Sequence, residues 1–502
     1  MNNNDQFRPQ NLTLAAIGLC LATFMQVLDT TIANVALPTI AGNMGVSSDQ
    51  GNWVITSFAV CNAIALPLTG WVSRTIGETK LFLGAVILFA VSSFLCGTAQ
   101  SMSELIFYRA IQGFCSGPLF PMAQTLMMAI FPRNKRTVAL AVISMVTVVA
   151  PIVGPITGGW ITDSYSWRWI FYINVPIAIF ASIVVFTQLK DRPEPTVKTP
   201  VDYMGLGLLV IGVGALQIML DKGNNLDWFS SNMIVILASI ASVALTAFVI
   251  WETTSEHPIV NLELFKDRNF TVGTIALVFG YSAFFAINLI LPQWLEQNLG
   301  YTAIWAGLAA APMGIIPLFT SALVGKYAPK FDMRVLVTLS FIIISSSCFM
   351  RANFDLSVNF WDIALVQGYM GIGIVLFFMP LTTILLSNLP NNQLAEGAGL
   401  ATFLRVLGSG FASSLSMWIW DRREIFHYSQ LNENISQHSV TATSFFSKMG
   451  GLSQTALAQV QEIVEKQAVM MSTIDYFTLL GWLFVGLLAI TWFAKPPFFR
   501  SH

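Results

Sequence analysis

The chain has 502 residues, of which 55% are hydrophobic and 10% charged, and its formal net charge is −1. This composition excludes an ordinary soluble globular protein and indicates an all-α polytopic membrane protein, while the near-zero charge gives no sign of a nucleic-acid partner. The cysteines all lie in apolar runs and the histidines all lie outside them, which argues against a disulfide framework, a zinc site or a histidine-based intramembrane enzyme.

Apolar runs of about 20 residues, the length that crosses a bilayer as a helix, recur along the whole chain. We predict fourteen transmembrane spans, at 12–36, 51–72, 81–99, 104–128, 138–162, 169–189, 204–221, 233–253, 270–295, 304–326, 335–350, 361–388, 397–418 and 476–494. The first span contains an acid and has no convincing cleavage site. It is therefore predicted to be a retained helix that follows a polar N-terminus, not a removed signal peptide.

Lysine and arginine predict the orientation of these spans, because they concentrate in cytoplasmic loops. With the N-terminus inside, the cytoplasmic segments hold sixteen of these residues and the short outside loops hold three, namely Arg168, Lys222 and Arg351. The bias predicts that segments 1–11 and 495–502 are both cytoplasmic.

The first span carries an acid at a depth where a bilayer does not normally tolerate one. At about 100° per residue, Asp29 shares a sector of roughly 140° with Gln26, Thr30 and Asn34, so one polar face runs through an otherwise apolar helix. A buried carboxylate is costly, and a residue of this kind usually faces a water-filled path or a protein partner. We predict that Asp29 has a functional role. The alternative is an acid near a helix end that reaches the interface.

A short loop rich in glycine and basic residues follows the second span. Glycine and basic residues in the loop predict a tight cytoplasmic turn that caps helix ends. Its predicted gating residues are Gly70, Arg74, Gly77 and Lys80.

In span four Arg109 and Gln112 share one face, so the arginine is expected to point into the bundle beside Asp29. Alternatively, it is a structural cation that binds backbone carbonyls. In span five Gly154, Pro155 and Gly158 predict close packing with a kink.

Three landmarks recur in the second part of the chain, displaced by about 255 residues. Leu37-Pro38 returns as Leu291-Pro292, Gln112-Gly113 as Gln367-Gly368, and Phe131-Pro132 as Leu389-Pro390. The repeat predicts two six-helix halves, 12–189 and 270–494, with two inserted helices at 204–253. Parallel repeats of this kind place a substrate site between the halves.

The second half supplies the other wall of the predicted substrate cavity. Tyr281, Phe284, Phe285 and Asn288 recur at helical spacing in span nine, and we expect them to face Gln26, Thr30 and Asn34 across the interface. The alternative for this aromatic stripe is ordinary packing. Arg405 in span thirteen and Gln367 in span twelve complete the predicted cavity with Gln112.

The segment 419–475 is the one sizeable polar stretch outside the predicted membrane region. Ser453 could cap a helix that runs to about Met470, with Leu457 and Val464 on one apolar stripe. The segment is either a solvated loop or a docking surface for a partner.

Taken together, these motifs resemble the major facilitator superfamily, and specifically its fourteen-span drug:proton antiporter branch. The matching elements are Leu28 to Pro38, the loop Gly70 to Lys80, Arg109 to Gly113, Gly154-Pro155 with Gly158-Gly159, and Trp167 to Pro176. One departure is Arg74, which stands where the family's loop usually has an acid, so the resemblance does not imply the usual acid-based latch of the inward gate.

The resemblance extends to the inner-membrane subunits of Gram-negative tripartite efflux pumps, through Phe24 to Asp29 and Trp492 to Phe498. It implies a transporter, not an enzyme, that exports amphipathic toxic compounds with the proton gradient as its energy source and no cofactor. We therefore predict that Asp29 and Arg109 are the proton-coupling residues. It also implies the inner membrane as location, with a periplasmic adaptor and an outer-membrane channel as partners. Two alternatives stay open: an exporter of a single metabolite or fatty acid, and a receptor or scaffold without transport.

Overall fold

The computed structural model describes residues 7, 9–132, 135–194, 196, 200, 202–256, 258–390, 393–433 and 454–498. Within these residues the fold is entirely helical and contains no strand. The α-helices in chain order are α1 (Leu12–Met44), α2 (Ser48–Gly51), α3 (Trp53–Ile76), α4 (Glu78–Thr98), α5 (Met102–Ser116), α6 (Leu119–Ile130), α7 (Arg136–Ser164), α8 (Trp169–Tyr172), α9 (Asn174–Leu189), α10 (Tyr203–Gly223), α11 (Asn232–Thr254), α12 (Arg268–Leu299), α13 (Ala303–Ala310), α14 (Pro312–Tyr327), α15 (Met333–Arg351), α16 (Phe360–Leu386), α17 (Leu394–Glu433) and α18 (Gln454–Thr491).

The long helices are apolar enough to cross a membrane. In the described residues 12 helices are long and apolar enough, or 13 when the two segments of α7, which meet at 41°, are counted as one span. Every predicted span coincides with helix, although the sixth is divided between α8 and α9 and the tenth between α13 and α14. The fourth is divided between α5 and α6, and neither piece reaches spanning length on its own. The division lies at Gly117-Pro118, where proline has no N–H to donate. The multi-pass, all-helical architecture is confirmed, whereas the count of fourteen and the orientation stay predictions.

The helices form two bundles. In the first, α1 packs against α7 and α9, and α3 and α4 pack against α5. In the second, α12 packs against α16, α17 and α18, and α15 packs against α16 and α18. The bundles meet along two seams, one between α7 and α14 and the other between α3 and α17. The pair α10 and α11 lies outside both bundles, and α10 contacts α3 and α17.

Glycines bring the helices of the two seams close together. A Cβ on Gly70 of α3 would lie 3.0 Å from Glu396 Cα of α17. A Cβ on Gly325 of α14 would lie 2.8 Å from Val138 Cα of α7. Backbones can approach this closely only where a side chain is absent, so both seams are tightly packed in this conformation.

Three helices extend farther than the sequence analysis predicts. Helix α1 continues through Pro38 to Met44, where Gly45 in the left-handed conformation ends it. Helix α17 continues to Glu433 and α18 begins at Gln454, so much of 419–475 is helix rather than loop. Arg423 and His427 of α17 both bind Asp475 of α18, which holds the extensions side by side.

The predicted helix after Ser453 is present, although Ser453 itself lies outside the described residues. Of its predicted apolar stripe, Val464 is buried but Leu457 is 49% exposed. The buried face instead follows Ala456, Val464 and Ala468.

Candidate functional site

Asp29 lies in the centre of the first bundle and is fully buried, at 0% exposure. Its Oδ2 accepts from Arg109 Nη1 at 2.5 Å, and its Oδ1 accepts from Gln112 Nε2 at 3.1 Å and from Asn174 Nδ2 at 2.8 Å. Both carboxylate oxygens therefore have donors, which is the condition for holding a charge inside an apolar bundle. The expected proximity of Arg109 and Gln112 to Asp29 is observed.

Arg109 is 1% exposed and is held by more than the acid. Its Nη1 also donates to Gln112 Oε1 at 2.9 Å, and its Nε donates to the carbonyl of Val54 at 3.2 Å. Its Cζ lies 4.2 Å from the centroid of the Phe58 ring. The planar guanidinium is thus bonded at its edges and stacked on a ring.

Close packing of α3 on α5 builds this arrangement. A Cβ on Gly113 would clash with the carbonyl oxygen of Phe58, so a glycine at this position lets α3 approach closely enough for Val54 to reach Arg109. Ser93 of α4 accepts from Asn174 Nδ2 at 3.0 Å, which orients the amide toward Asp29. Sequence analysis did not identify Asn174 or Ser93. The sequence feature that could have indicated Asn174 is its amide at the start of a strongly apolar run, two residues before Pro176.

The other polar residues of the α1 face are not bound to Asp29. Gln26 is buried and its Oε1 has no hydrogen-bond partner among the described residues. Thr30 donates to the carbonyl of Val27 at 2.6 Å within its own helix. Asn34 is exposed.

Helix α7 packs on the turn of α1 that follows Asp29. A Cβ on Gly154 would clash with the Thr31 hydroxyl, and one on Gly158 would lie 2.6 Å from Ile32 Cγ1. Pro155 lies between these glycines, just beyond the bend of α7. The small residues predicted to permit close packing therefore connect the turn that carries Asp29 to a helix of the seam.

The predicted aromatic stripe of α12 packs mainly within the second bundle. Ring centroids of Tyr281 and Phe284 lie 5.8 and 6.1 Å from that of Phe378. Phe285 is 36% exposed, and Asn288 Nδ2 donates to the carbonyl of Phe284 at 2.8 Å. Helix α12 is not among the closely packed neighbours of α1 in the described residues. In this conformation the stripe and the polar face of α1 are therefore not in direct contact.

Arg405 and Gln367 have different surroundings. Arg405 Cζ lies between two rings, 4.6 Å from the centroid of Phe120 on α6 and 4.7 Å from that of Tyr281 on α12. Gln367 is buried and accepts from Arg351 at the end of α15. Arg351 and Lys222, both predicted to lie in short outside loops, are buried and lie in the last turns of α15 and α10. Apolar runs mark helices but not how deeply their ends pack.

The internal repeat is visible in these contacts. In the first bundle Cys96 Sγ contacts Gln112 Oε1 at 3.5 Å, and in the second Arg351 contacts Gln367 Oε1. Cys96 and Arg351, like Gln112 and Gln367, are displaced by about 255 residues. The same pair of positions therefore touches in both bundles with different chemistry.

The predicted loop Gly70 to Lys80 is mostly helix, because α3 continues to Ile76 and α4 begins at Glu78. Its Arg74, in the last turn of α3, forms an ion pair across the seam. Arg74 Nη1 lies 3.4 Å from Glu396 Oε2 of α17. Gly77 has φ +98, a backbone conformation that side chains disfavour, and it allows Glu194 to approach and accept from the Thr79 N–H at 2.6 Å. Lys80 is exposed. The cation that replaces the family's usual acid thus pairs with an acid on the opposite bundle.

Comparison with known proteins agrees with this architecture. The family model described as Major Facilitator Superfamily matches residues 19–413. The chain is 47% identical to the multidrug export protein EmrB of Escherichia coli K12 over 97% of this chain and 96% of that protein. It is 45% identical to the fatty acid resistance protein FarB of Neisseria gonorrhoeae over 97% of each.

A solved structure shares the fold at low sequence identity. The structure of the proton:xylose symporter XylE bound to 6-bromo-6-deoxy-D-glucose superposes with a TM-score of 0.61 at 14% identity, over 96% of this chain and 95% of that one. The chain therefore belongs to the Major Facilitator Superfamily, as a multi-pass membrane transporter and not an enzyme, and within it to the family of the EmrB proteins.

Proposed function

We propose that the protein is a proton-driven antiporter that exports drugs or other amphipathic toxic compounds by alternating access. The observation that carries the proposal is the buried Asp29 network, in which Arg109, Gln112 and Asn174 all donate to one carboxylate. The relatives named for multidrug export and fatty acid resistance support export of amphipathic molecules.

The network has the properties that a proton site needs. Among the described residues, Asp29 Oδ2 accepts from Arg109 alone, so this oxygen keeps a second lone pair on which a proton can bind. Arg109 has other acceptors when it is released, because it already donates to Gln112 Oε1 and to the Val54 carbonyl. A proton on Oδ2 that weakened the contact with Arg109 would therefore not leave the guanidinium without acceptors.

The packing of α1 connects this site to the movement of the bundles. Asp29 is followed by Thr31 and Ile32, which lie against Gly154 and Gly158 of α7, and α7 forms one of the two seams. We propose that a proton from outside neutralises Asp29 in the outward-facing state, and that substrate binds from inside when Asp29 is charged. Competition between the two couples their opposite movements.

The predicted cavity roles remain part of the proposal. Gln26, Thr30 and Asn34 would line one wall and Tyr281, Phe284, Phe285 and Asn288 the other, with Gln112, Gln367 and Arg405. Since α1 and α12 are not in close contact, these walls would meet substrate in the conformation in which the bundles separate. Gating would take place at the seam where Arg74 pairs with Glu396, with Gly70, Arg74, Gly77 and Lys80 as the predicted gating residues.

A narrower candidate is an exporter of a single fatty acid, favoured by the similarity to FarB. It would keep the fold and the proton site and differ in substrate range. A receptor or scaffold without transport would not need a fully buried acid bound to a fully buried arginine.

For location we propose the Gram-negative inner membrane, with the lipid bilayer around the spans and a periplasmic adaptor leading to an outer-membrane channel. The similarity to EmrB supports this assignment. The paired extensions of α17 and α18 offer a surface for such an adaptor. At about 1.5 Å per residue, the part of α17 from Ile419 to Glu433 extends roughly 20 Å.

Reconstitution tests the function directly. The purified chain is placed in proteoliposomes containing a pH-sensitive dye, and an amphipathic substrate is added without a cofactor. Proton movement opposite to substrate supports antiport, and movement in the same direction indicates symport. Substrate binding without either movement contradicts the proposal and favours a receptor.

A further inference from the structure

The first turns of α3 contact different parts of the protein on their two sides. On one side, the backbone carbonyl of Val54 accepts from Arg109 Nε, and the Phe58 ring stacks on the guanidinium. At about 100° per residue, Trp53 and Thr56 point to the other side of the helix, where α3 contacts α10. The same turns therefore lie between Arg109 and α10.

Two charged residues near the C-terminal end of α10 hold this second side of α3. The Thr56 hydroxyl donates to Asp221 Oδ2, and Lys222 Nζ lies 5.5 Å from the centroid of the Trp53 ring. The hydroxyl is also 3.1 Å from the Asn52 carbonyl of its own helix. A hydroxyl has a single proton to donate, so Asp221 and the α3 backbone share it.

Helix α10 is bonded to the second bundle at the same end. Ser414 of α17 donates through its hydroxyl to the carbonyl of Leu220, and Asn224 Nδ2 donates to the carbonyl of Ser414 at 3.0 Å. The C-terminal end of α10 therefore bridges α3 and α17, the two helices of one seam. A helix that the internal repeat leaves outside both bundles thus has polar contacts with both of them.

We propose that Asp221 is a positioning residue of the proton site. By binding Thr56 it fixes the turns of α3 that hold Arg109, and Arg109 in turn donates to Asp29. Because α10 is also bonded to α17, a movement of the second bundle reaches Arg109 through α10 and α3. This inference rests on the proton role proposed above for Asp29 and gives the inserted helix α10 a part in proton coupling.

The direction of one change separates positioning from a direct effect of charge. Asp221→Ala removes a negative charge, which by itself would favour ionised Asp29 and lower the pH at which its carboxyl is half protonated. Loss of the contact with Thr56 instead loosens Arg109, so the carboxylate loses part of its compensation and this midpoint rises. We expect a rise of about 0.5 to 1 pH unit, a part of the roughly 1–3 units that a neighbouring cation supplies.

The midpoint is measured by infrared titration of the purified full chain, with the carboxyl C=O band that Asp29→Asn removes as the signal. This measurement needs no substrate. Arg109 of α5 and the Cys96 thiol of α4 are ionisable groups that lie near Asp29, and neither contributes to that band. The thermal unfolding midpoint of each variant in detergent is recorded in parallel.

A second variant reaches the same contact from α3. Thr56→Val removes the donor and nearly keeps the shape, so it should raise the midpoint as Asp221→Ala does, and the two changes together should add little more. Thr56→Ser keeps the hydroxyl and Asp221→Asn keeps an acceptor, so neither should raise it. The matched control is Asp163→Ala, at an exposed acid in the last turn of α7, which should not raise it either.

The remaining outcomes separate the positioning role from the proton site itself. A midpoint that stays at the parent value or falls in Asp221→Ala and Thr56→Val, even with a lower unfolding temperature, overturns the positioning role and leaves the proton site intact. If Asp221→Ala does not fold, Thr56→Val alone decides in the same way. A parent chain in which Asp29→Asn removes no titrating carboxyl band overturns both the positioning role and the proposed proton role.

Discussion

Replacement of Arg109 by lysine is predicted to impair proton-coupled transport by at least about tenfold, although it keeps the positive charge. Lysine has a methylene where arginine has Nε, so the Val54 carbonyl, now 3.2 Å from Nε, loses its donor at a cost of about 1–3 kcal/mol. The stack on Phe58 at 4.2 Å contributes roughly 0.5–1 kcal/mol more. Together these losses correspond to about ten- to several-hundred-fold.

The assay is the initial rate of substrate-driven proton movement in proteoliposomes, with the thermal unfolding midpoint in detergent measured in parallel. Arg168→Lys is the matched control, because Arg168 also donates to a carbonyl, that of Ala99 at 3.0 Å, and stacks on Trp167 but has no carboxylate partner in the described residues. A second test is Phe58→Leu in both backgrounds. Its effect should be smaller when Arg109 is already lysine. Transport by Arg109→Lys at the parent rate would refute the reasoning and leave Arg109 as no more than a positive charge.

Three further predictions concern packing, the seam and the partner. Gly113→Ala should strongly reduce the amount of folded protein, because the new Cβ would clash with the Phe58 carbonyl. The control Gly84→Ala, whose Cβ would meet nothing within 4 Å, should not. Size-exclusion chromatography measures the yield of both variants, and equal yields would contradict the packing argument. Arg74→Glu and Glu396→Arg should each slow transport, and the double exchange should recover part of it because the ion pair is restored across the seam; no recovery would show that the pair is not a latch. Deletion of residues 429–465, which removes the ends of both helix extensions, should spare transport in proteoliposomes but abolish drug resistance in cells and co-purification with the adaptor; unchanged adaptor binding would move the contact elsewhere.

The core of the candidate site could be predicted from sequence because charges inside apolar runs are expensive and few. Asp29 and Arg109 stood out for that reason, and helical spacing placed Gln112 with them. Asn174 could not be found in this way, since an amide at the start of a span is indistinguishable from an ordinary helix end.

The fold was predictable as far as hydropathy and repetition extend. Apolar runs located every spanning helix, and the repeat correctly paired Gln112 with Gln367. Hydropathy does not register helices that continue into polar sequence, so the extensions to Met44 and Glu433 were missed. It also carries no information on which helices face one another: the α12 stripe around Phe284 packs on Phe378 of its own bundle, and α12 is not a close neighbour of α1 in the described residues.

The central claim is that Asp29 carries the coupling proton, and the most direct test is proton counter-transport by Asp29→Asn. The amide keeps the shape of the side chain and still accepts from Arg109, but it cannot bind and release a proton. In proteoliposomes with an imposed pH gradient, substrate movement by this variant should no longer respond to the gradient, while Asp29→Glu should keep part of the response. Gradient-driven substrate transport by Asp29→Asn at the parent rate would contradict the account.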